Sequence, residues 1–147
     1  MKYRPLMLLV ISLAVLAACS SSRSSSGVGS SVNPLLRIEA LPPADADKFG
    51  AVRDMKNWKN PYLIVRVDGV GLLDAADNEQ KILTPDQLLA ALADLPSSAW
   101  PYGRVVAVAE SAAAASEAEK AQLRRNRALV AGTLESLQVV INWVPSK

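Results

Sequence analysis

The sequence predicts an α/β or α+β fold: a two-layer sandwich in which two main helices cover a three- to four-stranded sheet, in the order β(β)αβαβ. Two helix starts and the apolar runs around them carry this expectation. Thr84-Pro85-Asp86-Gln87 offers a threonine N-cap, a proline at the first helical position and a glutamine two residues later. Ser116-Glu117-Ala118-Glu119 repeats the reciprocal cap with a serine and a glutamate. Runs rich in β-branched residues at 63–67, 104–109 and 138–144 flank these starts, so strands alternate with helices.

Residues 34–147 read as one globular domain, with 34–57 a peripheral segment and 58–147 the core. Leu35 to Leu41 partly alternates and predicts a short edge strand ended by Pro42-Pro43. Phe49, Val52 and Met55 recur at helical spacing and predict a short helix from Ala44 to about Met55. Leu63 to Val67 predicts a strand with Leu63, Val65 and Val67 on one side. Asp68-Gly69 and Gly71 bend or break it, Leu72-Leu73 extends it, and Lys81-Ile82-Leu83 returns as a short second strand. Past Thr84, a helix with Leu88, Leu89, Leu92 and Leu95 on one face runs to Pro96. Arg104 to Ala109 is apolar on both faces, which predicts a central strand. The helix from Ser116 reaches about Leu137 with Leu123, Val130, Leu134 and Leu137 as its stripe. Val139, Ile141 and Trp143 then alternate in a last strand.

The front of the chain is of another kind. Lys2 and Arg4 precede an apolar run from Leu6 to Leu16, which ends in Leu16-Ala17-Ala18-Cys19. The run covers about 11 residues, short of the roughly 20 that span a bilayer. The pattern resembles the signal and lipobox of bacterial lipoproteins. That resemblance implies a signal peptide at 1–18, cleavage before Cys19, a diacylglycerol on the Cys19 sulfur and acylation of the new amine. One chain anchors marginally at about 0.8 kcal/mol per methylene; two or three hold firmly. Ser20, rather than aspartate, follows the cysteine, which by the family's sorting rule favours the outer membrane. Residues 19–33 then form a Ser/Gly-rich tether, and 20–32 are expected to behave as a coil of roughly 20 Å root-mean-square length.

Composition narrows the chemistry. The chain holds 16 Lys+Arg and 14 Asp+Glu; without Lys2 and Arg4 the balance is 14 against 14, so a nucleic-acid partner is not expected. Histidine is absent and Cys19 is the single cysteine. No Ser-His or Cys-His pair can form, and the usual zinc ligands are missing. Asp74, Asp77 and Glu79 share a turn but lack the spacing of a calcium loop. No cofactor, no metal and no catalytic residue is expected, and the chain reads as a non-enzyme.

Trp58-x-x-Pro61-Tyr62 and Trp100-Pro101-Tyr102 each sit before a main strand. If those strands are parallel, the rings gather at one edge of the sheet. Trp58, Tyr62, Trp100 and Tyr102, with Arg127 beside the helical stripe, are therefore the candidate binding surface; the alternative is that the rings cap the core.

Two envelope families share parts of this order. Val67-Asp68-Gly69 and the strand-helix-strand of 104–144 resemble the periplasmic domain of TolR/ExbD-type proteins, over roughly 62–144. The chain lacks the transmembrane helix with an acidic residue that such proteins use. Leu83-Thr84-Pro85 and Leu123 with Arg127-Ala128 resemble the OmpA-like peptidoglycan-binding domain, where a helical arginine and an aspartate hold diaminopimelate. The aspartate position falls on Ala112, and the glycine-histidine-threonine-aspartate run is missing. The expectation is a lipid-anchored, periplasm-facing envelope protein acting as an interaction or assembly module. The alternative is a binder of peptidoglycan or a small ligand through Arg127 and the Trp/Tyr cluster.

Overall fold

The structure, a computed structural model, describes residues 33–73 and 80–145. The lipobox, the tether up to residue 32 and the acidic turn at 74–79 lie outside the described residues. The domain is α+β. Its elements are helices α1 (Pro34–Glu39) and α2 (Ala46–Gly50), strands β1 (Tyr62–Arg66), β2 (Gly69–Leu73) and β3 (Gln80–Leu83), helix α3 (Leu88–Asp94), strand β4 (Val105–Glu110), helix α4 (Glu117–Ser136) and strand β5 (Val140–Trp143). The sheet has five strands in the order β3-β2-β1-β4-β5. β1, β2 and β3 form an antiparallel meander, while β4 runs parallel to both β1 and β5.

Five strands replace the expected three to four because Leu72-Leu73 does not extend β1. Val67-Asp68 makes a two-residue turn, Arg66 pairs with Gly69, and the chain runs back as β2. Gly69 takes φ +147°, and a Cβ there would overlap the Leu83 carbonyl of β3, so only glycine fits. The expected edge strand at Leu35–Leu41 is instead α1. Asn33 accepts the Leu35 N–H at 3.1 Å and Pro34 follows it, a helix start in which proline's missing donor costs nothing. Nor is this segment wholly peripheral: α1 packs on α3 and Ile38 lies 1% exposed in the main core. The helix expected at 44–55 is shorter, stopping at Gly50 and resuming as a 3-10 turn at Met55–Asn57.

Strand alternation divides the core. Leu63 and Val65 of β1, Val70 and Leu72 of β2, and Val106 and Val108 of β4 face α3 and α4. They meet Leu88 and Leu92 of α3 and Leu123, Val130 and Leu134 of α4. Each fully buried aliphatic side chain contributes about 1.5–3 kcal/mol. The opposite face is covered on one side only. Trp58, Phe49, Val52, Met55, Tyr62 and Tyr102 pack over Val105 and Ala107. β4 is buried from Val105 to Ala109, the central position its two apolar faces require.

Both reciprocal caps form. Thr84 N–H donates to the Gln87 side chain at 3.0 Å, opening a 3-10 turn at Pro85–Gln87 that leads into α3. At α4, the Ser116 hydroxyl accepts the Glu119 N–H at 3.2 Å, and the Glu119 carboxylate accepts the Ser116 and Ala115 N–H groups at 2.9 and 2.8 Å. α4 is pinned to the β1–β2 turn by buried Asn126, whose amide donates to the carbonyls of Arg66 and Val67 at 2.8 and 3.2 Å. The helix ends with Gln138 at φ +54°, Val139 N–H donating to the Leu134 carbonyl at 2.9 Å. Among the described residues no helix is long and apolar enough to cross a membrane.

Gln138→Gly relieves a left-handed residue that carries a Cβ and should stabilise the domain by about 1 kcal/mol in urea unfolding. The Ser116 and Ala115 amides hold the Glu119 carboxyl below the usual glutamate range. The folded state then binds the proton less tightly than the unfolded chain. The charged cap contributes in full above the unfolded value and fades as pH falls through the lower folded value. Thermal unfolding of Glu119→Gln should show a deficit at neutral pH that closes on acidification.

Candidate functional site

The covering segment reaches the far face at one crossing. Gly103 adopts φ +73°, and a Cβ would overlap the Pro43 carbonyl, so the 42–45 link passes directly over it. Arg104 N–H donates to the Pro42 carbonyl and Asp45 N–H to the Tyr102 carbonyl, both at 2.9 Å. Beneath, buried Asn60 donates to the carbonyls of Gly103 and Val105 at 2.8 and 2.7 Å and accepts the Tyr102 N–H at 2.9 Å. Trp58 Nε1 donates to the Pro61 carbonyl at 3.2 Å, and the Tyr102 hydroxyl to the Asn57 carbonyl at 3.2 Å.

This clamp separates the sequence-predicted aromatic residues. β1 and β4 are parallel, so both motifs lie at the same end of the sheet. Even so, they do not form one surface. Trp58 is 7% exposed and meets Tyr102 at 5.3 Å between ring centroids, inclined by 59°. Tyr62 packs on the same side, half-buried. Trp100 is 3% exposed in the main core, on the helix side. The left-handed turn at Gly103 follows Trp100, and the two rings of that motif end on opposite faces of the sheet. Arg127 is elsewhere again: its guanidinium pairs with Glu110 at 2.6 Å and lies 4.3 Å from the centre of the Trp143 ring. Cys19 lies outside the described residues.

What the fold does assemble is a trough on the half-covered face. Its volume is about 530 Å³, within the range of small-ligand sites. Ile64, Leu73 and Ala109 form its floor, Tyr62, Trp58 and Asn60 close one end, and Arg66, Glu110 and Ser111 lie at the other, with Met55 and Lys56 above. Register explains the shape: Ile64 lies between Gly71 and Ala109, the Gln80 side chain lies over Gly71, and the open space is therefore on the Ala109 side. Arg66 pairs with Asp68 at 2.8 Å. That hydrogen bond holds the Asp68 carboxyl below its usual range and raises Arg66, while burial raises Tyr62. The Ser111 hydroxyl accepts the Ala113 N–H at 3.3 Å. Among the described residues no hydrogen bond links this hydroxyl to Lys56 or Glu110, and no three metal-ligating side chains gather.

Sequence reading missed Lys56, Ile64, Arg66 and Ala109. The small side chain of Ala109 was the available signal, and only strand register places it beside Ile64. It also passed over Asn60, whose place before Pro61 marks an extended residue but not its partners.

Asn60→Ala strands two buried carbonyls and an amide, and should cost roughly 2–3 kcal/mol in urea unfolding. Compared with protein-family models, curated proteins and solved structures, the chain shows no match.

Proposed function

We propose that this protein is a non-catalytic interaction module of the bacterial envelope, lipid-anchored through Cys19, periplasm-facing at the outer membrane, and held off the bilayer by its Ser/Gly tether. The domain receives an extended, uncharged segment of a partner protein along β5. The observation that supports this is the contrast between the two sheet edges. β3 carries Lys81 at mid-strand, a charge that discourages pairing. β5 reads Val-Ile-Asn-Trp, with no charge or proline, and leaves Val140 43% and Trp143 40% exposed. Val140 and Val144 N–H groups donate inward to the Arg104 and Val108 carbonyls, both at 2.9 Å. By strand alternation, the Ile141 and Trp143 amides point outward, ready to pair.

The peptidoglycan alternative has weaker support. Arg127 is already bound to Glu110 and stacked on Trp143, and Trp100 belongs to the core.

Crosslinking pull-down from intact cells tests the proposal with wild type, Cys19→Ala and Asn142→Lys in parallel. Asn142→Lys puts a charge on the edge and should reduce capture several-fold without lowering Tm. Cys19→Ala should retain the same partner at reduced yield. Undiminished capture by folded Asn142→Lys would remove the β5 reading; a partner seen only with intact Cys19 would make membrane placement the main determinant.

A further inference from the structure

The trough on the half-covered face is separate from the β5 edge, and its lining specifies a ligand class. It follows β1 from Tyr62 to Arg66, about 13 Å at roughly 3.3 Å per residue. The floor is aliphatic along that line, through Leu73, Ile64 and Ala109, with Met55 above. Three residues of the lining are charged. Arg66 is neutralised by Asp68 at 2.8 Å and Glu110 by Arg127 at 2.6 Å. Lys56, on the rim, has no ion-pair partner among the described residues. Among the described residues, the uncompensated charge of the trough is therefore a single cation beside an elongated apolar floor.

From this geometry we infer that the trough binds a free fatty carboxylate, its chain laid along β1 over Ile64 and Ala109 and its carboxylate held by Lys56. Apolar burial supplies most of the binding free energy, and the ammonium fixes the orientation. Tyr62, Trp58 and Asn60 close the trough at one end. The room beside Ile64 exists only while residue 109 stays small. A phospholipid, with two chains and a bulky head, does not match a single groove with one free cation among the described residues.

Photolabelling tests this on the full-length lipidated chain in nanodiscs of neutral phospholipid. The probe is decanoate with a diazirine on its chain, compared with the decanol analogue. Labelling should map to Tyr62, Ile64, Leu73 or Ala109 and be displaced by unlabelled decanoate. Lys56→Gln, an exposed change outside the core, should reduce it about fivefold, and the alcohol should label less by a similar factor. Ala109→Leu fills the floor and should abolish labelling, with thermal unfolding confirming that the variant folds. Labels spread outside the trough, equal labelling by acid and alcohol, or indifference to Lys56→Gln in the folded protein would each overturn the assignment. These outcomes are independent of β5, since the pull-down with Asn142→Lys reads a different surface.

Discussion

Three hydrogen bonds at Asn60, two donated and one accepted, govern where the chain passes from one face of the sheet to the other. They tie the loop before β1 to the loop before β4 at the end where these parallel strands begin. A parallel pair has no hairpin to set its register, so register must come from packing and from such cross-links. Asn60 is 2% exposed and uses both amide donors and its carbonyl, leaving nothing unpaired. The same loop carries Gly103, whose left-handed turn lets the 42–45 link pass over it. Without that crossing, α1 would remain on the helix side and nothing would carry α2 or Met55–Asn57 to the far face.

The consequence is an unequal division of the two faces. The helix side is closed by α3, α4 and α1 over a continuous aliphatic layer. The far side is covered only around Val105 and Ala107, where Trp58, Tyr102 and Phe49 form a second, smaller cluster. Residues before the crossing thus have two roles. Ile38 completes the main core, whereas Met55 and Lys56 overhang bare sheet. The trough is the space left between a short cover and a floor drawn from β1, β2 and β4.

How legible each part was depended on how far apart its causes lie in the chain. Both reciprocal caps are local, a side chain and a backbone amide three residues apart, and both were read correctly from Thr84 and Ser116. The central placement of β4 followed from an apolar run with no polar face. α1 was misread although Asn33-Pro34 repeats the chemistry of Thr84-Pro85; the partial alternation of Leu35 to Leu41 was followed instead of the cap. β2 was misread because two glycines in five residues argue against a strand on propensity alone. Those glycines pair with Arg66 and Ile64 and lie close against the Leu83 carbonyl and the Gln80 side chain of β3, a fact that exists only after β1, β2 and β3 are paired. The aromatic motifs misled for the same reason: identical spacing before each strand concealed a turn that sends Trp100 and Tyr102 to opposite faces.

The sheet's two edges and its bare face differ in what holds them free. At β3 the charge of Lys81 and the exposed Gln80 discourage a further strand. At β5 nothing on the strand itself does so, and Arg127 covers only part of Trp143. On the bare face the controlling feature is volume: Ala109 keeps the floor low, and a larger residue there would close it. Backbone pairing reads main-chain direction and tolerates many side chains, whereas a trough reads the shape and charge of one ligand. The two surfaces belong to one sheet but answer to different physics, so a substitution at either can leave the other intact. That separation follows from register, because β5 presents its outward amides in the plane of the sheet while the trough opens perpendicular to it.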